Sequence, residues 1–334
     1  MDIKKLVAVA AISVLTLAGC AQATEDTTDT AASTTDNSGT EEAVVTSDIK
    51  VCVYTHGDGG TFWSVAQAGA EQAGADLGIT IDYQGSINDS ARQAATIDAG
   101  IAAGCDAIAA SAPDPGAIKS AMLAASAEGM PLVTINSGSS VFKELGAFTH
   151  VGQDEIVAGR EAGLKFKEAG VTKVLCPIQE AANSGLQKRC DGARETFGNV
   201  VDFNLDGGLA DLTAASAKLK AALQADPSID AVFALNADIA AKAVLPAVED
   251  LGIDMVIGTT DMSADALQAI KDGSIAFAID QQQYAQGYLS VVLLYLNITN
   301  GHVLGGGLQM YTGPGFVEAG NVDQVMSLVE AGTR

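Results

Sequence analysis

Val51-Cys52-Val53-Tyr54, then residues 62–77, then Ile79-Thr80-Ile81-Asp82-Tyr83, decide the fold. The outer runs are short and rich in β-branched and aromatic residues, and the middle one is Ala-rich with apolar positions at a 3.6-residue period. Strand, helix and strand at this spacing make a βαβ unit, whose strands lie parallel with the helix across one face. The rhythm continues with a helix over 89–103, a strand over 107–110, a helix over 115–128, and strands over 132–135 and 148–151. It then restarts: a helix over 155–169, a strand over 174–176, a helix over 185–197, and strands over 200–203, 231–234 and 255–257 with helices between them. Two successive runs of about five units predict an α/β protein of two similar doubly wound, Rossmann-like lobes.

In open sheets of this kind ligands bind beyond the carboxyl ends of the strands. The residues just after each strand form a consistent polar set: Thr55-His56-Gly57-Asp58 ahead of Phe62-Trp63, Ser111-Ala112-Pro113-Asp114, Asn136-Ser137-Gly138, Glu180 with Asn183, Asn236-Ala237-Asp238, Thr260-Asp261, and Gln281-Gln282. Part of this pattern is owed to helix capping, for which Asn, Asp and Ser are favoured. Planar amides and carboxylates also suit a polyhydroxylated ligand, because each can engage two neighbouring hydroxyls. A surface hydrolase finds no support, since there is no G-x-S-x-G elbow, no His near a candidate nucleophile and no glycosidase-type carboxylate pair. No catalytic residue is assigned.

Toward the N-terminus the folded pattern stops at Ile49. Residues 21–48 have no aromatic and no basic residue. A stretch so poor in apolar surface is predicted to stay disordered, and its carboxylates extend it, so residues 20–48 are expected to be an acidic tether. Ahead of it come Lys4 and Lys5, an apolar run over 6–17, and Leu17-Ala18-Gly19-Cys20. That is an export signal over residues 1–19, too short to span a bilayer. Its ending resembles the lipobox of bacterial lipoproteins, which implies lipidation of Cys20 and anchoring to the outer face of the cytoplasmic membrane. The net charge of −23 repels phosphates and anionic headgroups, so nucleic acid is excluded as a partner.

Export permits disulfides. Cys176 and Cys190 lie in neighbouring elements of one βα unit, and Cys52 and Cys105 at the starts of adjacent strands. Each pair is either a disulfide or two buried thiols. None of the four has metal-ligand spacing, and His56, His150 and His302 lie far apart, so neither a metal nor a cofactor is expected.

At the strand exits the chain resembles the ribose/galactose-type solute-binding proteins of bacterial ABC importers, the type I periplasmic-binding fold. The segments Gly104-Cys105-Asp106-Ala107-Ile108 and Pro131-Leu132-Val133-Thr134-Ile135-Asn136 resemble the family's G-x-D-A-I and P-V-V-x-x-D runs. Val151-Gly152-Gln153-Asp154-Glu155, with Ala158-Gly159 and Ala162-Gly163, resembles its crossing into the second lobe. Val232-Phe233-Ala234-Leu235-Asn236-Ala237-Asp238 resembles its V-F-A-x-N-D-x. By resemblance, Phe62 and Trp63 sandwich a sugar ring, Asn236 and Asp261 bond its hydroxyls, and Gln281 stands near the hinge. Asp58 and Asn183 join them as candidates. Three departures stand out. The family's Asp-Arg pair is here Asn136-Ser137, its ligand-binding arginine is Gln187 with Arg189 two residues on, and its Asn-Asp pair is Asn236-Ala237. These changes are expected to remove charge from the pocket; they count against ribose itself, leave a neutral polyhydroxylated ligand natural and disfavour a phosphosugar.

The resemblance implies an N-terminal lobe of 49–152 plus 282–311 and a C-terminal lobe of 153–281 plus 312–334, joined by three hinge crossings. The function expected is that of a monomeric, non-enzymatic lipoprotein that captures a small neutral sugar or polyol and delivers it to an ABC permease and its ATPase. The same fold could instead report a sugar-like signal to a sensor kinase or chemoreceptor.

Overall fold

The computed structural model describes residues 47–334. The expected export signal, Cys20 and all but the last two residues of the expected tether lie outside them. The first sheet is built from β1 (Lys50–Thr55), β2 (Thr80–Gly85), β3 (Ala107–Ser111), β4 (Leu132–Ile135), β5 (Thr149–Gly152) and, much later in the chain, β11 (Met310–Tyr311). The second takes β6 (Val174–Ile178), β7 (Val200–Asn204), β8 (Ala231–Ala234), β9 (Val256–Thr260), β10 (Phe277–Asp280) and β12 (Gly315–Val317). Their orders are β2-β1-β3-β4-β5-β11 and β7-β6-β8-β9-β10-β12, the same winding twice. Every pairing is parallel except that of β12 with β10. The central strands are apolar but for Ser111 and Thr134, show no alternation and are wholly buried, as parallel strands covered on both faces must be.

The helices are α1 (Gly60–Leu77), α2 (Ser90–Ala102), α3 (Pro115–Ala127), α4 (Glu155–Glu168), α5 (Ser184–Phe197), α6 (Leu212–Ala225), α7 (Ala237–Ile239), α8 (Leu245–Leu251), α9 (Ala264–Lys271), α10 (Gln283–Asn300) and α11 (Val322–Glu330). A π-helical turn over Ala240–Val244 joins α7 to α8. Each sheet has an apolar layer on both faces. In each lobe a pair of helices crosses closely at glycines. A Cβ on Gly69 of α1 or Gly287 of α10 would strike the backbone of the other helix, and Gly159 of α4 and Gly192 of α5 are matched in the same way. These crossings fix α1 and α5, whose N-terminal turns both line the gap between the lobes.

The chain passes between the sheets three times, after β5, after β10 and after β11. The second passage is held by Thr312 Oγ1, which donates to the Gln281 carbonyl at 2.8 Å, and by Gln286 Nε2, which donates to the same oxygen at 2.9 Å. Gln282 takes a left-handed conformation there (φ 56°). In both sheets the winding reverses beside the strand that opens the lobe, between β1 and β3 and between β6 and β8. That reversal is where a ligand crevice forms.

Two disulfides are present. Cys52–Cys105 joins the start of β1 to the turn before β3, and Cys176–Cys190 joins β6 to α5.

Candidate functional site

The strand exits of the two sheets face one another across a cavity of about 270 Å3. This lies just below the range of roughly 300–1,000 Å3 usual for drug-sized ligands, so it suits a small one. The N-terminal lobe supplies His56, Asp58, Phe62, Trp63 and Asn136; the C-terminal lobe supplies Glu180, Asn183, Arg189, Asn236 and Asp261; Gln281 enters from a hinge crossing.

Gln281 ties the floor together. Its Nε2 donates to Asp261 Oδ1 at 2.5 Å, while its Oε1 accepts from Asn136 Nδ2 at 3.3 Å and from Arg189 Nη2 at 3.2 Å. Ser137 Oγ donates to Asn136 Oδ1 at 3.0 Å. Residues of both lobes therefore meet on one hinge side chain. Burial pushes the Asp261 carboxyl up to about 7, against Arg189 and the Gln281 amide, which hold it down. Its backbone is left-handed (φ 70°), a conformation aspartate tolerates better than most residues.

Arg189 is buried against Glu155 in a two-pronged pair, Nε with Oε2 and Nη2 with Oε1. Burial disfavours its charge, and the Glu155 carboxylate more than restores it. Nη1 also donates to the Leu235 carbonyl at 3.4 Å. Four of the five guanidinium N–H donors are thus engaged, leaving one.

The resemblance's arginine position is corrected here. Gln187 does not line the cavity; its Nε2 donates to Asp191 Oδ1 at 3.1 Å and Asp202 Oδ2 at 2.9 Å, on a different face of α5. Arg189 lines the cavity, so the expected loss of charge is also corrected: the guanidinium is retained and neutralised by Glu155. Phe62 and Trp63 line the cavity, but their planes meet at 73° with centroids 4.8 Å apart. They make two walls of a corner rather than the parallel faces of a sandwich.

Asn236 and Asn183 line the cavity and cap helices together. Asn236 Oδ1 accepts from the Asp238 and Ile239 amides at 2.9 and 3.3 Å, leaving its Nδ2 uncommitted. Asn183 Oδ1 accepts from the Gly185 amide at 3.1 Å, and its Nδ2 donates to Glu180 Oε2 at 2.8 Å. Asp58 is exposed on the rim.

His56 is a participant that the strand-exit pattern included and metal-ligand reasoning set aside. Ser111 Oγ accepts from the His56 amide at 2.8 Å and lies 2.8 Å from His56 Nδ1, a second hydrogen bond to the same residue. Burial lowers the His56 pKa, with Glu180 pulling it back, so the ring is neutral near pH 7. Its Nε2 lies 3.8 Å from Glu180 Oε2 across the lobe gap. Among the described residues the only cluster of metal-type ligands is Cys52, Asp82 and Cys105, and both sulfurs are in a disulfide. No helix among them is long and apolar enough to cross a membrane.

Three comparisons place this geometry among known proteins. A carbohydrate transporter from Acidothermus cellulolyticus 11B, solved in complex with myo-inositol, superposes with a TM-score of 0.82 at 39% identity, over 86% of this chain and 100% of that one. The arabinose binding protein AraP of Geobacillus stearothermophilus superposes with a TM-score of 0.66 at 25% identity, over 83% and 99% of the two chains. The ribose import binding protein RbsB of Bacillus subtilis is 28% identical over 236 residues, 69% of this chain and 75% of that protein. Residues 49–301 match the periplasmic binding protein domain, and the chain belongs to that family.

Proposed function

We propose that this protein captures a small neutral sugar or cyclic polyol in the interlobe cavity and hands it to an ABC permease. The observation that carries the reading is the Gln281 junction, where polar groups of both lobes and a hinge meet on one wall of a cavity whose other side is the Phe62–Trp63 corner. A ligand touching both lobes stabilises the closed arrangement by its differential contacts, and a permease can sense closure. The polar rim of a hydroxylated ring would meet Asn236 Nδ2, the free Asp261 oxygen and the remaining Arg189 donor, with its C–H face on an aromatic wall.

Charge supports a neutral ligand. The Arg189 cation is cancelled by Glu155, and Asp58 and Glu180 leave the walls acidic, which disfavours a phosphosugar. The relative bound to myo-inositol favours a cyclic polyol within this class. No covalent chemistry is needed. The export signal and Cys20 support a lipid-held, extracytoplasmic protein working beside its importer.

Thermal-shift screening against myo-inositol, aldoses and sugar phosphates tests the reading. A cognate ligand at 100 times its Kd adds about 2.7 kcal/mol. Asn236→Ala and Asp261→Ala should each weaken the best neutral hit about tenfold or more. Stabilisation by phosphates alone, or full affinity in both variants, removes the assignment. For anchoring, Cys20→Ser should move the protein from the membrane fraction to the soluble one; continued sedimentation with membranes would rule out the lipid.

A further inference from the structure

A second cavity, of about 260 Å3, adjoins the first, and the two share His56, Asn88, Gln179, Glu180, Asn183 and Leu209. The shared residues form a neck between two compartments of nearly equal size. Both lobes wall the outer one, with Ser90 and Pro113 on one side and Ala182, Asp206 and Ala210 on the other.

The neck has hydrogen-bonding capacity that the protein does not satisfy. Gln179 is 4% exposed and its unpartnered Oε1 is sealed within the wall, so the acceptor open to the neck is the Glu180 carboxylate. His56 Nε2 lies 3.8 Å from Glu180 Oε2, beyond direct hydrogen-bonding distance. A hydroxyl in the neck can bridge His56 Nε2 and the Glu180 carboxylate. The outer walls carry the Asp206 carboxylate and no cation, so they fit an uncharged group and repel an anion.

We infer that the cleft takes a two-part ligand: a hydroxylated ring in the inner compartment, and a second neutral glycosyl unit, glycosidically joined to it, in the outer one, with a ring hydroxyl at the neck between His56 and Glu180. This rests on the polyol reading above and narrows it from a free ring to an O-glycoside.

Titration calorimetry of the purified protein with myo-inositol and with galactosyl-myo-inositol tests it. The glycoside should bind at least tenfold more tightly than the free ring. Ala182 and Ala210 are exposed and line the outer compartment only, so Ala182→Trp and Ala210→Trp fill it without disturbing the core. In both variants the affinity ratio of glycoside to free ring should collapse to about 1. Equal or weaker binding of the glycoside, or a ratio unchanged in both variants, overturns the two-part ligand and leaves the polyol reading standing. Binding of neither compound overturns both.

Discussion

Asp261 is buried at the carboxyl end of β9, facing Arg189, Gln281, Glu155 and Asp280. With its carboxyl raised to about 7, the folded protein keeps a proton that the unfolded chain gives up near pH 4. The stability tied to that proton is full below about pH 4 and is lost as pH rises toward 7. Asp261→Asn keeps the shape and removes the charge. Its stability relative to the parent should therefore rise from pH 5 to pH 8, reaching on the order of 2–4 kcal/mol. Thermal melts across that range check this, and a variant that tracks the parent at every pH would show an ordinary carboxyl. Most of this site was legible because the strand-exit rule points at positions, whatever their residue type. What the rule could not reveal is what each side chain already holds. Asn236 and Asn183 both cap a helix and face the cavity, so capping and binding are not exclusive readings.

Helix α5 carries Arg189, presents its capped N-terminus to the cleft and is stapled to β6 by Cys176–Cys190. Its period was legible in the sequence, but its rotation about its own axis was not. At 3.6 residues per turn, positions two apart differ by about 200°, so Gln187 and Arg189 cannot both face the cleft. Packing chose Arg189, because Gly159 and Gly192 set how α4 and α5 meet and Glu155 of α4 then pairs with the guanidinium. The staple closes a short loop, with a sequence separation of 14 residues. Cys176→Ser combined with Cys190→Ser should cost about 3 kcal/mol of unfolding free energy. Chemical denaturation reads this directly, and an unchanged midpoint would mean that the thiols are not paired in the purified protein. The sequence alone leaves the pairing open, because an apolar βα unit buries free thiols equally well.

Across the whole molecule, direct bonds rim the cleft from lobe to lobe. Ser184 donates to the Pro113 carbonyl through both its amide and its hydroxyl at 3.3 Å, and Lys188 Nζ donates to Ser140 Oγ at 2.7 Å. Contacts made only when the lobes meet add to the closed form and so to apparent affinity. Ser184 opens α5, where proline is well tolerated, and the preceding Asn183 already has an extended backbone. Ser184→Pro therefore deletes both bonds with the helix intact, and ligand affinity should fall about fivefold to tenfold. Affinity equal to the parent's would mean that the rim adds nothing to closure. The duplicated winding was legible from the alternation of strands and helices. The rim was not, since it joins residues 71 and 48 positions apart whose meeting depends on how the lobes close. One feature of the cleft gives the molecule a use beyond binding. Trp63 is the only tryptophan in the chain, and its indole lies so close over Gly57 that a Cβ there would overlap it. All indole fluorescence therefore originates at the cleft wall. Occupancy of the cleft can be followed by emission alone, in real time, with no label attached and no second chromophore of this kind to subtract.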